Sequence, residues 1–384
     1  MPHVLLVGGD GHPSGVPRHI TDLARALQGQ ARITVASEAD RGGYGALVDL
    51  GARHVALPGL ASRLTPGSLR RGRAALAAFL GETPADLVWF HARLPVILGR
   101  RLLITGDWRP DAATRIALTY HGLPFGRGHR HGTALLLRRL ERQLLGRCPP
   151  LELVFLTEDQ RQRMTTTLGL ELARHHTHVL GNASSLGPVP PPLPRPAGRH
   201  LAMTGRAGWQ KNYDAALRLL RHLPDDITLS LCGAGTETST FAARAARLAG
   251  PAVARLRLLG PLADVRPLLA SADGYMLTSR YEGLPIGALE ACEYGLPLAL
   301  ADFDGAEALL ADHPLGLCLK GPLPAQARAL DRLLTRYLAD RPAQSAAIRR
   351  FWAMRWSPGQ FDSAARALVA GWLPSPTAPS PLST

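Results

Sequence analysis

The sequence TSRYEGLPIGALEACEYGLPLALADFDGAEALL, residues 278–310, combines a Gly/Pro loop, a helix, a strand and the start of a second helix. The fixed φ of Pro285 suits a first helical residue, and Gly295 before Leu-Pro suits a helix end. The apolar run LPLALA that follows is typical of a strand buried on both faces. A loop that leads from a strand into a helix N-terminus is where α/β proteins bind phosphorylated ligands. This stretch therefore predicts an α/β fold with a ligand site.

The same alternation of strand and helix extends along the whole chain. Strand-like runs in the first half include HVLLVGG, ARITVAS and DLVWFHA, and those in the second include HLAMTGR, ITLSLCG and GYMLTS. Helical segments lie between them, which predicts a parallel α/β class. Between the two series lies the proline-rich segment GPVPPPLPRPAGR, and proline is excluded from central strands and helix interiors. The segment therefore marks a domain joint.

These signals predict two Rossmann-like parallel α/β domains that face a central cleft, where a ligand would bind. The expected divisions are a first domain over 1–187, a linker over 188–199, a second domain over 200–356, a helix over 357–373, and a disordered low-complexity tail over 374–384.

Composition limits the class of protein. A chain of 384 residues with 46% hydrophobic content fits two ordinary globular domains. No window approaches 18 apolar residues, and the first residues lack a cationic start, so neither a membrane span nor a signal peptide is predicted. The four cysteines form no CxxC pair, which disfavours a metal or disulfide framework and favours a reducing cytoplasm.

The net charge of +14 is concentrated in the first half of the chain. Residues 1–200 carry 25 basic and 14 acidic residues, whereas residues 201–384 carry 19 and 16. Such an excess fits nucleic acid, an anionic membrane or an acidic substrate. Two amphipathic segments carry much of it, through Arg70, Arg71 and Arg73 in one and Arg138, Arg139, Arg142 and Arg147 in the other. Basic amphipathic helices are typical of anionic membrane surfaces, and an ordinary solvated face is the alternative.

Two cations flank a glycine-containing loop in GRAGWQKN, residues 205–212, which follows one predicted strand and precedes a helix. Only two of the 44 basic residues are lysines, Lys211 and Lys320, so a lysine at this place is mildly informative. Arg206 can bind a diphosphate with two hydrogen bonds, and Lys211 can act as a point charge. The alternative is a solvated loop with incidental charges.

Glu282 and Glu290 lie eight positions apart, the first in the loop and the second inside the predicted helix. With Pro285 at the helix start, Glu290 lies roughly 7–8 Å further along the helix axis. The pair fits acid/base catalysis, or two polar contacts to one ligand, such as a sugar at the helix start and a ribose beside the helix. Two exposed glutamates on a surface helix are the third interpretation.

Other single residues are weaker signals. His121 ends a strand in TYHG, but most lone histidines are structural, and His91 in WFHAR is weaker still. Gly15 can let backbone amides approach a phosphate, although many such glycines only form turns. Asp302 and Asp304 spell a DxD, a metal-binding signature in some sugar transferases. They lie after the strand and away from the glutamates, so we interpret this match as coincidence.

The order of these motifs resembles that of the retaining nucleotide-sugar transferases of family GT4, also called glycosyltransferase group 1, which have the GT-B fold. The resemblance spans roughly residues 1–370 and is strongest in the second half. It is carried by SGVPRHITDLARAL, TYHG, GNAS, TGRAGWQKN, LCGAGTE and LLGPLADVRPLLASADGYMLTSRYEGLPIGALEACEYGLPLALADFDGAE.

The resemblance implies that the first domain, 1–187, binds the acceptor, that the second, 200–356, binds the nucleotide-sugar donor, and that the helix over 357–373 packs back on the first domain. It also implies a role for each matching position. It implies that His121 and Glu282 act at the transferred sugar, and that Gly283, Leu284 and Pro285 contact the donor sugar and phosphate through their backbone. It also implies that Glu290 binds the ribose. Arg206 and Lys211 would bind the diphosphate, and Gly15 would face it. Two departures stand out. The chain has Ser14-Gly15 where the family often has paired glycines, and Asn182 is followed by Ala-Ser-Ser where the family tends to have Asn-Gly with an Asp nearby.

The implied activity is transfer of a sugar from a UDP- or GDP-sugar with retained anomeric configuration. The implied path is a front-face one, in which the leaving phosphate helps to deprotonate the acceptor, with no metal and no other cofactor. We expect a lipid-linked or growing surface-polysaccharide acceptor, as in capsule or exopolysaccharide assembly, and a cytoplasmic protein at the periphery of the membrane. The alternatives are another GT-B nucleotide-sugar enzyme, such as an epimerase, and a basic nucleic-acid-binding protein. A low aromatic content of 5% speaks against the last.

Overall fold

The computed structural model describes residues 1–61, 65–194 and 197–373. These residues form two compact units. Unit 1 contains residues 1–125, residues 132–182 and the chain from Pro358 onward, and unit 2 contains Gly126–His131 and Ala183–Ser357. The chain thus passes into unit 2 after Asn182, a few residues before the predicted joint. The predicted tail, 374–384, lies outside the described residues.

Unit 1 is built on a seven-stranded parallel sheet with the strand order β3-β2-β1-β4-β5-β6-β7. The strands are β1 (His3–Val7), β2 (Arg32–Ser37), β3 (Arg53–Ala56), β4 (Leu87–Phe90), β5 (Arg115–Tyr120), β6 (Glu152–Phe155) and β7 (His176–Val179). The helices between them are α1 (Gly15–Ala26), α2 (Pro66–Glu82), α3 (Arg93–Thr105), α4 (His131–Arg147) and α5 (Glu158–Leu172).

Unit 2 is built on a six-stranded parallel sheet with the strand order β10-β9-β8-β11-β12-β13. The strands are β8 (Arg199–Thr204), β9 (Ile227–Cys232), β10 (Leu256–Gly260), β11 (Gly274–Leu277), β12 (Leu298–Ala301) and β13 (Gly316–Leu319). The helices are α6 (Tyr213–Leu220), α7 (Ser239–Ala249), α8 (Arg266–Ser271), α9 (Ile286–Glu293), α10 (Ala306–Leu310), α11 (Leu323–Ala339) and α12 (Arg341–Arg355).

The last helix, α13 (Pro358–Trp372), belongs to unit 1 and packs against α1. Arg366 Nε donates to the carbonyl oxygen of Ala26 at 2.7 Å, and Arg25 pairs with Asp362 at 3.3 Å. The end of the described chain is therefore fastened to the first helix of unit 1.

The predicted class, two Rossmann-like parallel α/β domains, is confirmed. Central strands such as β4 and β9 are buried along their whole length, as expected for strands covered on both faces. In each sheet the strand order reverses once, between β1 and β4 in unit 1 and between β8 and β11 in unit 2. Ligands of such sheets bind beyond the carboxyl ends of the strands at this switch point. Within the described residues, no helix combines the length and the apolar character that crossing a bilayer requires.

Helix α1 begins at Gly15, two residues before Pro17. Pro17 is compatible with this, because a first-turn proline lacks only an N–H that has no partner there. Pro285 is the N-cap of α9 and not its first residue, because its ψ of 117° is extended and the helix begins at Ile286.

A buried ion pair joins α3 to α4 inside unit 1. Arg100 donates to both carboxylate oxygens of Glu141, at 2.6 and 2.9 Å, and both side chains are buried. Tyr120, the last residue of β5, donates its hydroxyl to the same carboxylate at 3.0 Å. Burial raises the pKa of Tyr120 well above its usual value, so the phenol stays protonated as a donor. The network therefore fixes the end of β5, directly before His121.

Removal of one partner of this pair should leave a buried charge uncompensated. We expect Glu141→Ala to lower the free energy of unfolding by about 3–5 kcal/mol, measured by urea denaturation. Glu171→Ala is the matched control, because it breaks the solvent-accessible pair with Arg142 and should cost less than about 1 kcal/mol. Equal losses in the two variants would contradict this role of the buried pair.

Candidate functional site

The loops that follow β8 and β11 meet at the switch point of unit 2. Lys211 Nζ donates to Glu282 Oε1 at 2.7 Å, which joins residues 71 positions apart in the sequence. Two further hydrogen bonds hold the loops together. The amide of Arg280 donates to the Gln210 carbonyl at 2.8 Å, and the Thr278 hydroxyl donates to the Asn212 carbonyl at 3.0 Å. The predicted cation and the predicted carboxylate are therefore in direct contact.

Glu282 is held by more than this lysine. Ser279 Oγ donates to Glu282 Oε1 at 2.8 Å, and Gln210 Nε2 donates to Oε2 at 3.2 Å. The side chain of Glu282 is only 9% exposed and that of Lys211 is 20% exposed. A partly buried carboxylate with three donors, one of them cationic, is fixed in place.

Gly205 leaves the space through which the Lys211 side chain reaches Glu282. Its φ of +139° favours glycine, and a Cβ at this position would lie 2.4 Å from Lys211 Cε. Gly233, at the end of β9, approaches Gly205 just as closely, since its own Cβ would lie 2.0 Å from the Gly205 carbonyl oxygen. The missing side chains let the strand ends and the lysine pack together.

Arg206 differs from Lys211 in its surroundings. It is exposed, and the described residues offer it neither a hydrogen bond nor an ion pair. The loop thus presents one tethered cation and one cation that extends into solvent, an arrangement that can receive an anion of two or more charges.

The first turn of α9 lies beside this pair. Gly283, Leu284 and Pro285 are buried, and the helix begins directly after them. Gly287 fits closely against side chains of β8 and β11, because a Cβ there would lie 2.6 Å from Thr204 Oγ1 and 2.5 Å from the Tyr275 hydroxyl. The leading amides of a helix have no partner within the helix and attract anions. Glu290 is buried one turn further along α9.

The segment Gly126–His131 supports the same loops within unit 2. Gly128, with a φ of +80°, lies so close to Arg280 that a Cβ would be 1.9 Å from its carbonyl oxygen. The ring of His129 lies 4.5 Å from that of Tyr281. Arg280 in turn lies over the Trp209 ring at 4.7 Å. Sequence reasoning missed this segment, because nothing local in it indicates a contact with residues 209–281.

The DxD residues make contacts of a different kind. Arg127 Nη1 donates to Asp302 Oδ1 at 2.6 Å, and Lys320 lies 3.3 Å from the other oxygen of this carboxylate. Asp304 is buried and accepts the backbone N–H of Arg127 at 2.8 Å. Both carboxylates thus fasten the segment around Arg127.

In unit 1, the predicted residues lie around the switch point of its own sheet. Gly15 is exposed and is the first residue of α1, after the extended N-cap Ser14. His121 follows β5 directly, and its Nε2 lies 3.3 Å from Nδ1 of His91, which follows β4. His19, on α1, packs edge-on against His121 with ring centroids 4.9 Å apart.

These three histidines are held neutral by their surroundings. Burial lowers the pKa of His19 to about 4, against a smaller opposing effect of its hydrogen bond to Asn182. Burial also lowers the pKa values of His91 and His121 well below the usual value, and neighbouring histidines add to the effect. Sequence reasoning did not single out His19 and discounted His91. The available signal for His91 was that it directly follows the buried strand β4, whereas His19, inside α1, offered none.

Two family models match the chain. The model for glycosyl transferases group 1 matches residues 194–350, and the model for glycosyltransferase family 4 matches residues 13–183. The first region contains the Lys211–Glu282 pair, and the second contains Gly15 and His121. Among curated protein sequences, none matches the chain.

Solved structures share the fold over nearly the whole chain. Anabaena HepE in complex with UDP and glucose has a TM-score of 0.73 at 15% identity, over 97% of this chain and 100% of that one. Sucrose-phosphate synthase from Thermosynechococcus elongatus has a TM-score of 0.72 at 17% identity, with 97% and 100% covered. WaaG, a glycosyltransferase of lipopolysaccharide biosynthesis, has a TM-score of 0.69 at 17% identity, with 96% and 100% covered.

A side chain at position 205 should disturb the Lys211–Glu282 pair. We expect Gly205→Ala to displace Lys211 and to lower the free energy of unfolding by about 1–3 kcal/mol, because the added Cβ meets the lysine and the backbone is strained. Gly208→Ala, in the same loop, has its nearest neighbour at 3.9 Å and is the control. Urea denaturation and crystal structures of both variants would check this. Equal stability and an unmoved Lys211 would show that Gly205 has no such role.

Proposed function

The chain belongs to the glycosyltransferases of family 4 and group 1, with the GT-B fold, and from this premise we propose that it transfers a sugar from a nucleoside-diphosphate donor to a glycan or lipid-linked acceptor. The observation that carries the proposal is the Lys211–Glu282 pair at the switch point of unit 2. It lies where open α/β sheets bind their ligands, between an exposed arginine and a helix N-terminus.

The donor diphosphate fits the groups around this pair. The Lys211 ammonium has three N–H donors and uses one on Glu282, which leaves the others for phosphate oxygens. The exposed Arg206 guanidinium can bind the same diphosphate with two hydrogen bonds. The amides that begin α9 add positive potential from the helix dipole. Together these groups can stabilise the charge of the departing diphosphate, so we propose that transfer requires neither a metal nor another cofactor.

The sugar and the ribose are assigned to the two glutamates. Glu282 accepts three hydrogen bonds and keeps capacity for a hydroxyl of the transferred sugar, with the backbone of Gly283 and Leu284 beside it. Glu290, one turn into α9, is assigned to the ribose. The HepE structures contain UDP, glucose and UDP-glucose, which supports a uridine donor for this chain, with a GDP-sugar as the alternative.

The surroundings of Glu282 favour a retaining, front-face reaction over a double displacement. Three donors stabilise its negative charge, which makes it a poor nucleophile. In the front-face path, the bond between the anomeric carbon and the diphosphate breaks, the acceptor oxygen bonds to that carbon from the same side, and its proton passes to a phosphate oxygen. His121, kept neutral by burial, would contact the sugar without adding charge.

We place the reaction in the cytoplasm, at the inner face of the membrane, in the assembly of a surface polysaccharide such as capsule or exopolysaccharide. The four cysteines are free thiols, as a reducing compartment favours. Helix α4 exposes Leu135 and Leu136, the latter by 67%, together with Arg138 and Arg139. Apolar and basic groups on one helix suit an anionic lipid surface, where lipid-linked acceptors would lie. We propose no nucleic-acid partner.

Not every predicted arginine is equally available for lipid. Arg142 pairs with Glu171 at 2.9 Å, and Arg73 pairs with Asp107. Arg70 and Arg71 are exposed on α2. Because α4 also exposes Leu135 and Leu136, its exposed arginines are the sharper test of membrane binding.

The donor proposal is tested first by a thermal-shift screen against UDP-, GDP-, ADP- and dTDP-sugars. With the donor that stabilises the protein most, we expect Lys211→Ala and Glu282→Ala each to lower kcat/KM by about 10²-fold or more, because each removes a charge at the reacting groups. Lys320→Ala, which alters the only other lysine, should keep wild-type activity. Near-wild-type turnover in both site variants would contradict the assignment. Conversion of the donor sugar without an acceptor would identify an epimerase instead.

The membrane proposal is tested by co-sedimentation with vesicles. We expect wild-type protein to prefer anionic over neutral vesicles. The triple variant Arg138→Ala/Arg139→Ala/Arg142→Ala should bind anionic vesicles about tenfold or more weakly, because each arginine near the surface contributes about 1 kcal/mol to the binding free energy. The triple variant Arg328→Ala/Arg332→Ala/Arg336→Ala removes the same charge from exposed positions on α11 and is the control. Equal binding of wild type to both kinds of vesicle would reject membrane docking.

A further inference from the structure

Three histidines of unit 1 converge on one point. One ring nitrogen from each of His19, His91 and His121 lies within 4.8 Å of those of the other two. Their positions follow from the fold, since His91 and His121 directly follow the adjacent strands β4 and β5, and His19 lies on α1, the helix that follows the neighbouring strand β1. In the described part of the chain, no other three residues of metal-ligating type meet in this way.

Two of these rings carry a nitrogen whose bonding capacity is unused. His19 Nε2 and His91 Nε2 are buried and have no hydrogen-bond partner. His19 Nδ1 lies 2.9 Å from the amide oxygen of Asn182. Because this oxygen only accepts, Nδ1 carries the proton and Nε2 presents a lone pair. Buried polar atoms are nearly always satisfied, so two unsatisfied nitrogens in one cluster indicate a missing ligand.

The chemistry of the cluster selects the class of ligand. Three imidazoles without a carboxylate suit Zn²⁺ and similar transition-metal ions, whereas Mg²⁺ and Ca²⁺ prefer oxygen ligands. A hydrogen bond from the far nitrogen of a ligating histidine to an oxygen is the usual support of such a site, and Asn182 provides it for His19. Metal–nitrogen distances of about 2.0–2.1 Å require the rings to move inward by less than about 1 Å.

We propose that unit 1 binds one Zn²⁺-class ion through His19, His91 and His121, and that the bound ion inhibits sugar transfer. Inhibition follows because His121 then binds the ion and cannot contact the transferred sugar. This half of the proposal rests on the proposed function. Metal binding itself does not depend on it.

The competing explanation is a cluster of packed core histidines. The three rings do pack against one another, with centroids 4.9–5.5 Å apart. If the rings only pack, the protein binds no metal at this place, so a direct measurement of metal binding separates the two explanations.

The test titrates the purified full-length wild-type chain with Co²⁺ and follows the visible absorption of tetrahedral cobalt. We expect one Co²⁺ per chain, displaced by Zn²⁺ and without thiolate charge-transfer absorption, which separates this site from the cysteines. His19→Gln and His91→Gln should each weaken binding by more than about tenfold, whereas His222→Gln, at an exposed position in unit 2, should not.

The wild-type titration alone decides metal binding if a histidine variant does not fold. No saturable Co²⁺ binding by wild type, or undiminished binding by a folded His91→Gln variant, would overturn the proposed site. In a transfer assay with the donor found by thermal shift, Zn²⁺ should inhibit over the concentration range in which it displaces Co²⁺. Full activity with the site occupied would overturn inhibition alone. Absence of transfer from every donor, with Co²⁺ binding intact, would instead count against the proposed function.

Discussion

The ion pair between Lys211 and Glu282 is the interaction on which the site of unit 2 depends. It joins the loops after β8 and β11, the two strands between which the sheet reverses its order. Gly205 makes room for the lysine, and Ser279 and Gln210 hold the glutamate. Because α9 begins four residues after Glu282, the pair also sets where the helix N-terminus lies. The Lys211 ammonium, the Glu282 carboxylate and the N-terminus of α9 are thereby held in place before any ligand arrives, which is the preorganisation that electrostatic catalysis needs.

The charge that matters for the donor is not the charge that dominates the composition. Most of the basic excess lies in residues 1–200, whereas Arg206 and Lys211 belong to the nearly balanced second half. Net charge is therefore a guide to surfaces such as α4, where arginines stand beside exposed leucines. Binding of a diphosphate depends on a few cations at a strand end, and only their local context reveals them.

Local signals in the sequence were sufficient for the fold class and for the candidate residues of unit 2. Alternating apolar runs and helical segments predicted two parallel sheets, and a rare lysine in a glycine loop drew attention to Lys211. The sequence could not show that Lys211 and Glu282 bind each other, because 71 residues separate them and only the strand order brings them together. Pro285 was misplaced by one position, since its fixed φ suits an N-cap as well as a first helical residue.

Unit 1 was less predictable for the same physical reason. A lone histidine carries little information, so His19 and His91 gained meaning only when the order of β1, β4 and β5 placed them beside His121. Likewise, nothing in the sequence distinguishes Arg100 from the other 41 arginines, or Glu141 from other glutamates in helices. Only the packing of α3 on α4 buries them as a pair. Contacts between distant elements decide such roles, and single-residue patterns do not encode them.

The most direct measurement is a crystal structure of the protein with the nucleoside diphosphate of its best-binding donor. The account predicts that Lys211 Nζ lies within about 2.7–3.2 Å of a diphosphate oxygen, with Arg206 on the same diphosphate and the ribose beside Glu290. A nucleotide bound elsewhere, with Lys211 in contact only with Glu282, would contradict it.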